Sequence, residues 1–288
     1  MKCINKWICL SLLIAVSCVS GCGKTSAAIE QPYDVYATAA DFGLSSNGTA
    51  EAKSYFASDL CVSEDVAIGT DSTDSQVAEG AGTFNLETNT VVYAKNLYER
   101  LYPASTTKIL TAYIALKYCD DLDAMVTVSE NAVNQASDSS VCNLKAGDVI
   151  RLRDLLYGLM LRSGNDAAVA IAEYISGDVD SFAALMNQEA AAMGATRSHF
   201  VNPNGLPDEN HYTCVYDMYL IFSNAIKNDT FVSIIGTTSY DVTYTDASGE
   251  AVTHTWENTN QYLTGNATTP DGFQIVGGKT GTTGEAGY

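Results

Sequence analysis

Strand-like and helix-like signals are segregated along this chain, and that ordering limits its fold more than any single motif. Phe84-Asn85-Leu86 and Val91-Val92-Tyr93 flank Glu87-Thr88-Asn89-Thr90, the pattern of a hairpin. Residues 240–244 and 252–256 flank Asp246-Ala247-Ser248-Gly249 and read the same way. The stretch between is helical in spacing. Ile109, Leu110, Tyr113, Ile114 and Leu116 predict a strongly apolar helix just after Pro103. Leu152, Leu155, Leu156, Leu159 and Met160 recur as one face of an amphipathic helix. That helix breaks at Ser163-Gly164-Asn165, and further helices are expected over 166–175, 179–193 and 215–226. Residues 274–278 read as a last strand leading into Lys279-Thr280-Gly281. This order predicts an α+β fold, with an antiparallel sheet from both ends of the chain packed against a helical cluster.

Charge excludes some functions. With 34 acidic against 15 basic residues the chain carries a formal charge of −19, which repels phosphate backbones and argues against nucleic acid as a partner. Anionic lipid repels it too, so membrane attachment is expected to be covalent. Lys2 and Lys6 open the chain, and residues 10–16 (LSLLIAV) are apolar but too short to span a bilayer. Val19-Ser20-Gly21-Cys22 then resembles a lipoprotein signal, with an ordinary cleaved secretory peptide as the alternative. The expected organisation is a leader over 1–21, a lipidated Cys22, a tether over 22–58 rich in small and polar residues, and a catalytic domain over 59–288, held on the outer face of the cell membrane. Gly23-Lys24-Thr25 fails as a phosphate loop, because Cys18 stands where the upstream glycine is required. Beyond the leader and Cys22, four cysteines remain: Cys61, Cys119, Cys142 and Cys214. Two disulfides or four free thiols are both compatible with them, and none has metal-ligand spacing, so neither a metal nor another cofactor is expected.

Three short motifs carry the chemistry. Ser105-Thr106-Thr107-Lys108 places a hydroxyl and an amine three residues apart, on one helical face. A serine hydroxyl needs a base beside it, and a lysine serves only if burial or a second cation lowers its pKa. Ser163-Gly164-Asn165 lies between two helices, where Ser163 can relay a proton and Asn165 can hold a substrate backbone. Lys279-Thr280-Gly281 offers two groups for a carboxylate and a glycine that admits close backbone approach.

In this order the motifs resemble those of the serine-type D-alanyl-D-alanine carboxypeptidases, the low-molecular-mass penicillin-binding proteins. The likeness runs from about residue 83 to the end and includes Tyr102-Pro103-Ala104-Ser105, Leu161-Arg162-Ser163-Gly164-Asn165-Asp166, Asn202-Pro203-Asn204-Gly205-Leu206 and Gly278-Lys279-Thr280-Gly281-Thr282-Thr283. The resemblance implies acyl transfer. Ser105 attacks the penultimate carbonyl of a peptidoglycan stem peptide ending in D-Ala-D-Ala, and Lys108 takes its proton. Backbone N–H groups of Ser105 and Thr282 form the oxyanion hole, water releases the acyl group, and β-lactams inhibit by stalling at that stage. Family members continue well past Gly281, so the resemblance also implies a catalytic domain incomplete at its C-terminal strands. A β-lactamase needs a further carboxylate for deacylation; Glu173 and Glu189 fall in helical patterns and Glu130 precedes the second motif. A non-catalytic lipoprotein that binds the same ligands is the rival from another class. His199, His211 and His254 are too scattered for a triad or a metal, and His211 reads as structural.

Overall fold

A helix that is apolar on every side must lie at the centre of a fold. That helix is α1 (Lys108–Tyr118), which buries Ile109, Leu110, Ala112, Ile114 and Ala115 together with Lys108 and Thr111. It belongs to a computed structural model that describes residues 57, 59–69 and 78–287. The chain divides into two units, Met1–Asp59 and Leu60–Tyr288. The leader, Cys22 and nearly all of the tether fall outside the described residues, so the fold that follows is that of the second unit.

Around α1 pack α3 (Leu152–Leu161), α4 (Asn165–Ser176), α5 (Val179–Ala192), α6 (Val215–Ala225) and α7 (Asp229–Ile235). Local chemistry sets their ends. Gly177, at φ +86°, closes α4 in the left-handed conformation that costs glycine nothing. Asp178 then caps α5 by accepting from the Ser181 N–H at 2.7 Å, and Asn228 caps α7 through the N–H groups of Thr230 and Phe231.

Strands β1 (Ala81–Asn85) and β2 (Thr90–Lys95) form the first expected hairpin, and β5 (Ser239–Thr245) and β6 (Ala251–Glu257) the second. Both hairpins stand where the turn residues put them. Their assembly differs from the expectation. The hairpins do not share a sheet: β1–β2 is two-stranded, while β5–β6 joins β3 (Met125–Thr127) and β4 (Val149–Arg151) in the order β3-β4-β5-β6. Strands β3 and β4, at one side of this sheet, therefore come from mid-chain, and with three residues each they are too short to show an alternation. The short α2 (Glu130–Val133) and α7 were likewise not expected from spacing. The four-stranded sheet packs on α3, where Tyr157 stacks on Tyr240 with ring centroids 3.7 Å apart. Gly158 leaves room there, since a Cβ would lie 2.6 Å from Cys142 Sγ and 3.1 Å from the Trp256 ring.

Residues 274–278 are a second correction. They form no strand, because no ladder partner reaches them among the described residues. Gly277, Gly278 and Lys279 instead face Gly82 and Phe84 across a cleft of about 470 Å³, lined also by Met218, Tyr219 and Phe222. The α+β class and the helical cluster stand as expected; the single sheet does not. The four cysteines Cys61, Cys119, Cys142 and Cys214 are free, which decides between the two thiol readings.

Candidate active site

The first motif is bent before the helix begins. Ala104–Thr107 form a 3₁₀ turn leading into α1, and Ala104 has φ +47°. Ser163 is also left-handed, at φ +59°. Non-glycine residues in this region cost on the order of 1–3 kcal/mol each and concentrate at functional sites. The two strained positions flank one cleft. It has a lobe of about 600 Å³ lined by Ser105, Ser163, Tyr262, Thr280 and Thr282. A second lobe of about 460 Å³ is lined by Ser105, Asp138, Asn165, Asn204, Thr282 and Glu285. All three motifs meet there.

Lys108 is the centre of the arrangement. It is fully buried; its Nζ lies 2.9 Å from Ser105 Oγ, 2.8 Å from Asn165 Oδ1 and 2.6 Å from the Asn204 carbonyl. Burial holds the amine well below the usual lysine range, and the positive charge of Lys279 lowers it further. These are the two causes that a serine–lysine pair requires. Asn165 opens α4, and its N–H donates to the Ser140 carbonyl at 2.8 Å. With Oδ1 turned to Lys108, its Nδ2 is the end that can meet a substrate carbonyl.

Lys279 reaches Ser163 Oγ at 3.1 Å and the Thr280 carbonyl at 2.6 Å. The residue as a whole is half-buried, and desolvation of the amine beside Ser163 lowers its pKa to about 7. Thr280 Oγ1 pairs with Thr259 Oγ1 at 2.7 Å. A Cβ on Gly281 would lie 2.9 Å from the Ser105 nitrogen, so only glycine leaves that N–H approachable. Thr282 lines both lobes, beside Ser105.

The structure thus brings together Ser105, Lys108, Ser163, Asn165, Lys279, Thr280, Gly281 and Thr282. Sequence reasoning passed over the Asn204 carbonyl, the Ser140 carbonyl, Thr259, Asp138 and Glu285. None of them stands in a motif of its own except Asn204, where the Asn202–Leu206 segment was the available signal. The glutamates weighed for deacylation lie elsewhere: Glu173 accepts from Ser129 and Asn131, and Glu189 accepts from Lys117 and Tyr118.

A model of the D-alanyl-D-alanine carboxypeptidase family matches residues 69–288. This chain belongs to that family. It is 35% identical to the D-alanyl-D-alanine carboxypeptidase DacF of Bacillus subtilis over 164 residues, covering 56% of this chain and 42% of the relative. It is 36% identical over 221 residues to a D-alanyl-D-alanine carboxypeptidase of Streptomyces sp. strain K15, covering 73% and 74% of the two chains. Against DacC of Escherichia coli it spans 47% of the relative's length, so several family members are about twice as long as the matched segment. A solved structure of the Streptomyces K15 DD-transpeptidase superposes with a TM-score of 0.68 at 35% identity, covering 74% of this chain and 82% of that one. Family membership rests on the matched domain that holds the cleft.

Proposed function

We propose that this chain is a serine D,D-carboxypeptidase that removes the terminal D-alanine from peptidoglycan stem peptides and is acylated by β-lactams. The observation that carries the reading is the buried Lys108 amine, low in pKa, 2.9 Å from Ser105 Oγ. Ser105 Oγ attacks the penultimate carbonyl carbon as its proton passes to Lys108 Nζ. The carbonyl electrons move onto oxygen, which the N–H groups of Ser105 and Thr282 stabilise. Ser163, next to Lys279, gives its hydroxyl proton to the leaving amine as the C–N bond breaks and is reprotonated by the proton that Lys108 took up, which returns Lys108 to its neutral form. Lys279 and Thr280 hold the terminal carboxylate. Water then cleaves the ester and restores Ser105.

Export and lipidation at Cys22 complete the reading. They are supported by the basic start, the short apolar run and Val19-Ser20-Gly21-Cys22. No helix among the described residues is long and apolar enough to cross a membrane.

Release of free D-alanine from a peptide ending in D-Ala-D-Ala tests the activity, with Ser105→Ala as the control. Serine-dependent release is expected; a folded protein that releases none contradicts the proposal. The Streptomyces neighbour is a DD-transpeptidase, which favours a second reading, transfer of the acyl group to an amine. Adding glycine to the same assay separates the two, because transfer yields a glycine-capped peptide and hydrolysis a free carboxylate.

A further inference from the structure

We infer that the Asn202–Leu206 turn is an acceptor arm that orients the general base, and that Thr111 and Asn202 are the positioning residues that hold it. A neutral primary amine has two N–H bonds and one lone pair. Around Lys108 Nζ stand two oxygens that only accept, Asn165 Oδ1 and the Asn204 carbonyl, and one hydroxyl, Ser105 Oγ. When both acceptors take an N–H, the lone pair is left facing Ser105. Any other staggered orientation turns the lone pair against a carbonyl oxygen. With the Asn204 carbonyl withdrawn, a second orientation becomes equally good, and in it an N–H instead of the lone pair meets the nucleophile. The arm therefore sets the direction of the serine–lysine hydrogen bond.

A backbone carbonyl has no side chain of its own to hold it, so its position depends on neighbours. Thr111 lies one turn below Lys108 on α1 and donates to the Pro203 carbonyl at 2.7 Å. Asn202 braces the turn from inside, accepting from the Gly205 N–H at 2.7 Å and donating to the Leu206 carbonyl at 2.9 Å. Gly205, at φ +87°, allows the contact, since a Cβ there would lie 1.8 Å from the Ala104 carbonyl oxygen. His211 ties the approach to the arm: its Nδ1 accepts from the Val201 N–H at 3.1 Å, so Nε2 carries the hydrogen and donates to Thr107 Oγ1 at 2.9 Å. Thr111 thus holds the arm directly, and Thr107 holds the segment leading into it through His211.

A purely structural role for these residues predicts lost stability, whereas the arm predicts lost chemistry in the protein that remains folded. The inference rests on the acylation of Ser105 proposed above. The experiment is rapid-mixing acylation by a fluorescent penicillin, resolving the noncovalent dissociation constant from the acylation rate constant, with thermal melts on the same samples. Thr111→Val, which keeps the shape and removes the donor, is expected to lose roughly tenfold to a hundredfold in the acylation rate constant, a fraction of a general base's usual contribution. The dissociation constant should stay within about twofold. Thr111→Ser, which restores the donor, should recover to within about threefold of wild type. Asn202→Ala, at a half-buried position, should repeat the Thr111→Val split and stands in for it if that variant does not fold. A folded Thr111→Val or Asn202→Ala that acylates at the wild-type rate overturns the inference, as does a Thr111→Ser as slow as Thr111→Val. Wild-type protein that is not acylated at all contradicts the proposed function instead.

Discussion

The two lysines of this site are held in opposite ways. Lys108 stands at the start of a buried central helix, completely enclosed, with three polar atoms within 2.9 Å of its amine. Lys279 stands on a segment of no regular structure, with no ladder partner among the described residues, anchored through Ser163 and the Thr259–Thr280 hydroxyl pair. The half proposed to transfer the proton is built into the core, and the half proposed to bind the carboxylate is laid against it by side chains. Errors in the first should destroy chemistry, and errors in the second should mainly weaken binding.

Lys108→Met breaks the comparison hardest. Acylation by penicillin should fall roughly 10²- to 10⁴-fold, the usual contribution of a positioned base. The melting temperature should fall modestly, because the apolar chain leaves Asn165 Oδ1 and the Asn204 carbonyl without their donor. A variant that acylates normally would show that Lys108 is not the base.

The core half should also carry a distinctive pH dependence of stability. Burial pushes His211 down to about 4 from 6.5. Between those values the unfolded chain binds a proton that the folded chain does not, so stability rises with pH through that window and is lost as pH falls through it. The contribution is about 3 kcal/mol. Urea melts of wild type and His211→Gln between pH 4 and pH 7 should diverge by that order, and parallel curves would contradict it.

Lys279 gives the binding half its signature. The amine titrates near 7, so it is charged below that pH and available for a carboxylate, and neutral above it. For a D-Ala-D-Ala peptide, kcat/KM should decline as pH rises through about 7, and Lys279→Arg should remove that alkaline limb. Lys279→Ala should raise KM on the order of tenfold to a hundredfold, as expected for a lost charge-assisted contact. An alkaline limb that survives Lys279→Arg would assign it to another group. The smallest effect is expected at Thr259→Val, which leaves Thr280 Oγ1 without its partner: a rise in KM of about two- to fivefold at unchanged kcat, measured with the same peptide.

What was legible in the sequence follows the same division. Ser105, Lys108, Ser163, Asn165 and the Lys279–Thr282 run could be read because each sits in a short motif whose residue types imply a role. The two causes that lower the Lys108 pKa, an apolar helix and a second lysine, were legible as well. The helices with long apolar faces and both hairpins could be read from spacing and turn residues. The mid-chain strands could not, since three residues show no period and their pairing is non-local: β4 meets β5 through the single pair Val149–Thr245. Nor could the Asn204 carbonyl, because a backbone oxygen has no residue type to announce it. His211 read as structural, and its place between Val201 and Thr107 became visible only when the fold brought them together.

The most direct test of the account is where penicillin lands. After incubation of wild-type protein with benzylpenicillin near neutral pH, proteolysis and mass spectrometry should find one penicilloyl group, on Ser105. It should be absent from Ser105→Ala and much slower to form in Lys108→Met. A folded protein left unlabelled, or an adduct on Ser163 or any other residue, would contradict the assignment of Ser105 as a nucleophile activated by the buried Lys108.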